Sequence, residues 1–199
     1  MANTLIAELR RATATLHSAV EALPGMGVLT SPTVTRADYL AYLRGMARAC
    51  GALEPPLLAV LDRELADLQD LRPAYRPRLP ALVADCLAEG VEPPAPAASQ
   101  LVLPGLSEAM GGLYVLEGAT LGGRVIARHL RRHLPDGLGT AAFLDFHGDA
   151  GPAAWRSFTA ALERLEERGL ITRVPVIAGA RTMFQEFHRI LADRAPCDQ

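Results

Sequence analysis

SEAMGGLYVLEGATLGGRVIARHLRRH, residues 107–133, reads as one long helix, yet it carries Gly111, Gly112, Gly118, Gly122 and Gly123. Each glycine costs about 0.8–1.0 kcal/mol relative to alanine in a helix interior, so the set costs on the order of 4–5 kcal/mol. A helix that keeps them needs something to offset that cost. Gly111, Gly118 and Gly122 fall on one stripe with Val115 and Val125, so that either another helix or a planar ligand can lie directly against backbone. A kink at the glycines would bring peptide groups toward such a ligand. Spacing alone leaves both readings open. The opposite side carries Arg124, Arg128 and Arg131 with Arg132 beside them, which is either a solvated face or a docking patch for an acidic partner.

Working outward, the periodic signal stays helical nearly everywhere. Aromatic residues make up only 5%, β-branched residues never form alternating runs, and Ala, Leu, Arg and Glu dominate, which predicts an all-α fold. Helices are expected at roughly 3–23, 36–50, 51–68, 76–89, 99–133, 151–168 and 173–193. Thr35 with Asp38 has the form of an N-cap and its first turn, while Pro24-Gly25, Pro93-Pro94-Ala95-Pro96 and Pro135-Asp136-Gly137 mark breaks. None of these is long enough for an interdomain linker, and there is no internal repeat, so one domain over 1–199 is expected.

The first helix has two faces. Leu5, Leu9, Ala12, Leu16, Ala19 and Leu23 form an apolar stripe, while Arg10, Ala14, His17 and Glu21 share the neighbouring face, with Thr13 at its edge. His17 and Glu21 are four residues apart. The carboxylate can therefore accept the Nδ1 proton and leave Nε2 unprotonated and outward, as a metal-ligating imidazole requires. Arg10 could pair with a ligand carboxylate, and Thr13 and Ala14 leave room for a flat molecule. The alternative is a half-exposed histidine with a helix-surface partner worth about 0.2–0.5 kcal/mol. His17-x-x-x-Glu21 occurs once, and no E-x-x-H or H-E-x-x-H exists, which speaks against di-iron carboxylate and zincin sites.

Composition removes other classes. With 20 cations, all arginine, against 22 acids, the net charge of −2 offers no bulk attraction to nucleic acid or membrane. Cys50, Cys86 and Cys197 are odd in number and form no C-x-x-C pair, which argues against a disulfide framework or zinc knuckle and for a reducing, cytoplasmic home. Neither a leader pattern nor an apolar stretch of spanning length is expected.

Several stretches resemble one known family. LRRATATLHSAVEAL (9–23) resembles the proximal helix of heme oxygenases and YVLEGATLGGRVIARHL (114–130) their distal helix, most closely the bacterial type found with bacteriophytochromes. TRADYLAYLRG (35–45), FHGDAGPAAWRSF (146–158) and GARTMFQEF (179–187) agree with it. The resemblance implies a helical fold with heme between the first helix and the glycine helix, His17 as the proximal iron ligand, Glu21 as its hydrogen-bond acceptor, and Gly118 and Gly122 over the heme. It also implies that Arg10 and Arg181 present cations to the propionates, and it assigns no role to Tyr114 or His147. The implied activity is ring opening of heme to biliverdin, CO and ferrous iron, with O₂, a ferredoxin or flavoprotein reductase as electron donor, and a bacteriophytochrome as recipient of the pigment. One position departs. Animal members carry an Asp directly after the first distal glycine, where Ala119 stands here, so Glu117, Thr120 or ordered water is expected to supply the distal polar network. Two rivals remain: a heme carrier or sensor without turnover, and a non-heme, thiaminase-like hydrolase of the same fold drawing on Cys50 or Cys86.

Overall fold

The computed structural model describes residues 4–134, 139 and 141–193, the side chain of Leu121 excepted; the expected break at 135–137 and Cys197 lie outside them. The described residues contain helices and no strand. In chain order the helices are α1 (Leu5–Glu21), α2 (Pro24–Gly27), α3 (Arg36–Glu64), α4 (Leu79–Ala88), α5 (Leu106–His133), α6 (Gly151–Glu167) and α7 (Arg173–Ala192), with short 3₁₀ turns at Val28–Thr30 and Gly148–Ala150.

Local chemistry sets most boundaries. Thr4 caps α1 by accepting from the Ala7 amide, and Thr35 and Asp38 form a reciprocal capping box at the start of α3. That box holds the Asp38 carboxyl below its ordinary range, because the Thr35 hydroxyl and amide both donate to it. Helix α6 ends where Gly169, at φ +70°, lets the Leu170 amide reach the Leu165 carbonyl at 3.0 Å.

Three expected boundaries move. Residues 36–64 form one helix instead of two, although Gly51, Pro55 and Pro56 lie inside it and the prolines remove two backbone donors. Tertiary contacts override that local preference. A Cβ on Gly51 would press on the Pro96 ring at 3.1 Å. The buried Glu54 carboxylate accepts from the Arg78 amide at 2.6 Å, the Leu79 amide at 3.0 Å and the Tyr75 hydroxyl. It thereby satisfies the first amides of α4, which begins at 79, not 76. Helix α5 begins at Leu106, not 99, because Gly105 is extended and Glu186 of α7 accepts from the Gln100 amide. The expected break at Pro24-Gly25 separates α1 from α2, with Pro24 as the first residue of the short helix.

Helix α5 packs most extensively along α7, and α7 also carries α1, so α1 and α5 stand on a common support. Leu5 and Leu9 of α1, Leu113 and Leu116 of α5 and Ala180 and Met183 of α7 are buried in one core cluster. Burial of such side chains contributes about 1.5–3 kcal/mol each for the large ones. Below the packed ends the helices part and leave a cavity.

Candidate functional site

The cavity has a volume of about 920 Å³ and lies between the site face of α1 and the middle of α5, residues 114–126, with α3 and α7 completing its wall. That is at the upper end of small-molecule sites, roughly 300–1,000 Å³. Arg10, Thr13, Ala14, His17 and Glu21 line it from α1, as the wheel predicted. Thr13 is the exception in detail: it is 2% exposed, and its hydroxyl donates back to the Leu9 carbonyl at 2.7 Å.

His17 Nδ1 lies 3.2 Å from Glu21 Oε2, one turn on. A carboxylate beside Nδ1 favours the tautomer with its proton there, which leaves the Nε2 lone pair for a metal. The Phe184 ring stands edge-on to the imidazole, 5.8 Å between centroids, and restricts its rotation. No group of three or more His, Cys, Asp or Glu placed to hold a metal ion exists among the described residues.

Across the cavity, α5 presents glycine. A Cβ on Gly118 would meet only Trp155, at 3.9 Å, and one on Gly122 would meet nothing within 4 Å. Both positions are thus a cradle that side chains would fill. Gly111, expected on the same stripe, does something else: a Cβ there would collide with the Val176 carbonyl and approach the Ala180 amide to 2.6 Å. Helix packing thus accounts for Gly111, whereas Gly118 and Gly122 stand open to the cavity.

Tyr114, without a role in the sequence, lines the cavity and packs against Trp155 with 5.9 Å between centroids. Burial pushes its phenol up from the ordinary value, while a hydrogen bond with Thr13 and the charge of Arg10 pull it back. Arg10 and Tyr114 thus offer neighbouring donors from two helices. Arg181 is exposed on α7, one turn before Phe184, and does not line the cavity. Cys50 does line it, but burial pushes its thiol well above the ordinary value and Glu54 adds to the effect, which disfavours the thiolate a nucleophile needs. Burial also raises the Cys86 thiol.

Two comparisons bear on this geometry. The chain is 42% identical over 146 residues to a heme oxygenase of Xanthomonas campestris pv. campestris (strain 8004), covering 70% of this chain and 84% of that one. The chain belongs to the heme oxygenase family. A solved heme oxygenase of Neisseria meningitidis, in NO- and CO-bound crystal structures, superposes with a TM-score of 0.69 at 26% identity, covering 96% of this chain and 91% of that one. No family model matches the sequence. The all-α heme oxygenase fold accounts for the common support of α1 and α5: α7 holds two helices at a fixed separation, and the glycine half of α5 opens the gap between them.

Proposed function

We propose that this chain, acting as one domain, opens heme to biliverdin, CO and ferrous iron at the expense of O₂ and electrons delivered singly. The observation that carries this reading is the pairing across one cavity of His17, backed by Glu21, with glycine positions where no side chain intrudes. Heme, when bound, supplies both the iron that takes up O₂ and the ring that is oxidised. The chain's residues do the rest. His17 Nε2 would hold the iron, and Glu21, beside Nδ1, would orient the ring. Gly118 and Gly122 let peptide backbone approach the opposite face without a side chain occupying the space for O₂. Arg10 and Tyr114 take one propionate end; Arg181, which the resemblance also assigns to a propionate, stands exposed on α7 outside the cavity wall.

The arginine patch is smaller than the sequence suggested. Arg124 is paired with Asp145 at 3.1 Å and Asp149 at 2.9 Å, and Arg131 lies 3.9 Å from Asp145. Arg128 and Arg132 have no acidic partner among the described residues, so they are the cations we assign to docking an acidic ferredoxin or flavoprotein donor. No described helix is long and apolar enough to cross a membrane. A reducing cytoplasm with a bacteriophytochrome as recipient is the setting we infer from the buried free thiols of Cys50 and Cys86 and from the sequence resemblance.

Mixing the protein with hemin and ascorbate tests the assignment. Bile-pigment absorption is expected; a stable Soret band without product would make the chain a carrier or sensor, and no heme spectrum would return the hydrolase reading. His17→Ala should abolish the histidine-ligated spectrum and turnover, and added imidazole should restore part of both. Glu21→Ala should weaken heme binding by about 10–100-fold.

A further inference from the structure

A second cavity, of about 670 Å³, lies between the start of α4 and the last turns of α5. Its size is within the range of small-molecule sites, roughly 300–1,000 Å³. Pro77, Pro80, Ala81 and Ala142 give it an apolar lining, and two guanidiniums reach it from different elements, Arg76 from before α4 and Arg131 from α5. Asp145 is the one carboxylate of that lining among the described residues, and it is already shared: Arg124 Nε lies 3.1 Å away and Arg131 Nη2 3.9 Å. Arg76 has no acidic partner among the described residues. It donates to the Phe146 carbonyl and lies over the Phe146 ring, 3.8 Å from its centroid. A guanidinium pinned in this way keeps its planar fork oriented, so little freedom is lost when a carboxylate pairs with it.

One short segment separates this cavity from the first. Phe143 and Leu144 line the first cavity, whereas Ala142, Asp145 and Phe146 line the second. Side chains of α4 hold the segment by its backbone, with Asp85 accepting from the Ala142 amide at 3.0 Å and the Phe143 amide at 2.8 Å. At its start the buried Ala141 takes φ +46°, a region alanine disfavours, so the path of the segment is imposed by its anchors. Phe146 adds a second link, because the Arg78 guanidinium, which lines the first cavity, lies 4.4 Å from the centroid of the ring that carries Arg76.

Resting on the heme reading above, we propose that the second cavity is a ligand site for an organic dicarboxylate with an apolar body, and that residues 142–146 link its occupancy to the heme cavity. Two cations against one shared acid select the charge, and the proline and alanine lining selects the apolar body. The linear pigment of the proposed reaction, which keeps both heme propionates, belongs to that class. Its binding there would be felt at the site that made it.

The test uses the full chain loaded with ferric heme, without reductant, dialysed to equilibrium against biliverdin. One pigment per chain should be retained while the Soret band persists. Arg131→Gln and, separately, Arg76→Gln should weaken retention at least about tenfold. Arg164→Gln, the same charge change on α6 outside both cavities, should leave it unaltered. Saturating pigment should change the rate of hemin transfer to apomyoglobin by about fivefold or more. No retention, pigment that displaces the heme, or equal retention by the Arg131 and Arg76 variants overturns the site; retention with unmoved hemin transfer overturns its linkage to the heme cavity. Should Arg76→Gln fail to melt cooperatively as apoprotein, Arg131→Gln decides by the same criterion. Absence of a Soret band with the unaltered chain would remove the heme reading, whereas a normal band with no pigment retained removes this inference alone.

Discussion

In the N-terminal half of α5, Gly111 sits so close to α7 that a Cβ would collide with the Val176 carbonyl, and a Cβ on Gly179 of α7 would lie 2.5 Å from the Glu108 Cα. One helical stretch later, Gly118 and Gly122 face open space. The same residue, with the same propensity cost, is offset in the first place by backbone-to-backbone packing and in the second by nothing within the protein. Two adjacent helices that approach through glycine gain dispersion contacts along both backbones. A helix that exposes glycine to a cavity gains only what enters the cavity. Gly123 shows that the neighbour matters more than the position along the helix: it lies beside Gly122, yet a Cβ there would collide with the Leu144 carbonyl.

The largest effect should follow from closing the first contact. Gly111→Ala should destabilise the apoprotein by about 3 kcal/mol, since neither backbone can yield cheaply. That corresponds to a fall in melting temperature of roughly 6–12 °C for a chain of this size. An unchanged melt would break the comparison at its stronger end. Gly123→Ala should cost about 1–3 kcal/mol by the same measurement, because the Leu144 segment is a loop that can shift; if it stabilises instead, proximity to the cavity matters more than the neighbour.

Gly122→Leu is the reciprocal case. The apoprotein should melt at the same temperature or higher, with a propensity gain of roughly 0.8 kcal/mol. Hemin titration should show at least about tenfold weaker binding, since the new side chain enters the cradle. A destabilised apoprotein with unaltered hemin affinity would move Gly122 into the packing class. The smallest effect concerns the solvent side of α5. Arg128→Glu with Arg132→Glu should slow donor-driven turnover a few-fold at low salt, an effect that fades as the Debye length falls to about 8 Å. Turnover with ascorbate should be unaffected; equal loss with both reductants would show a disturbed pocket.

The site face of α1 was legible because it is local. Arg10, Thr13, Ala14, His17 and Glu21 reach the cavity through helical spacing alone, and the His17 to Glu21 contact is an i,i+4 neighbour. Arg78 in the cavity wall, Tyr114, and the place of His147, 3.3 Å from Glu117, were not legible. Arg78 meets Glu117 across 39 positions of sequence, and no periodic pattern announces such a pair. Its one signal was negative, a buried-type Glu directly before a glycine cradle. Arg181 was placed by resemblance and lies outside the cavity wall, exposed on α7.

Helical period and capping chemistry are properties of neighbouring residues, so the sequence by itself determined an all-α chain, the capping box at Thr35 and Asp38, and which side chains of α1 travel together. Close approach and burial depend on elements far apart in the chain. Only the tertiary structure decided that α3 runs through two prolines, because Glu54 is held by the start of α4. It also decided which glycines of α5 are packed and which are open, because that rests on whether α7, the Leu144 segment or empty space stands opposite each Cα.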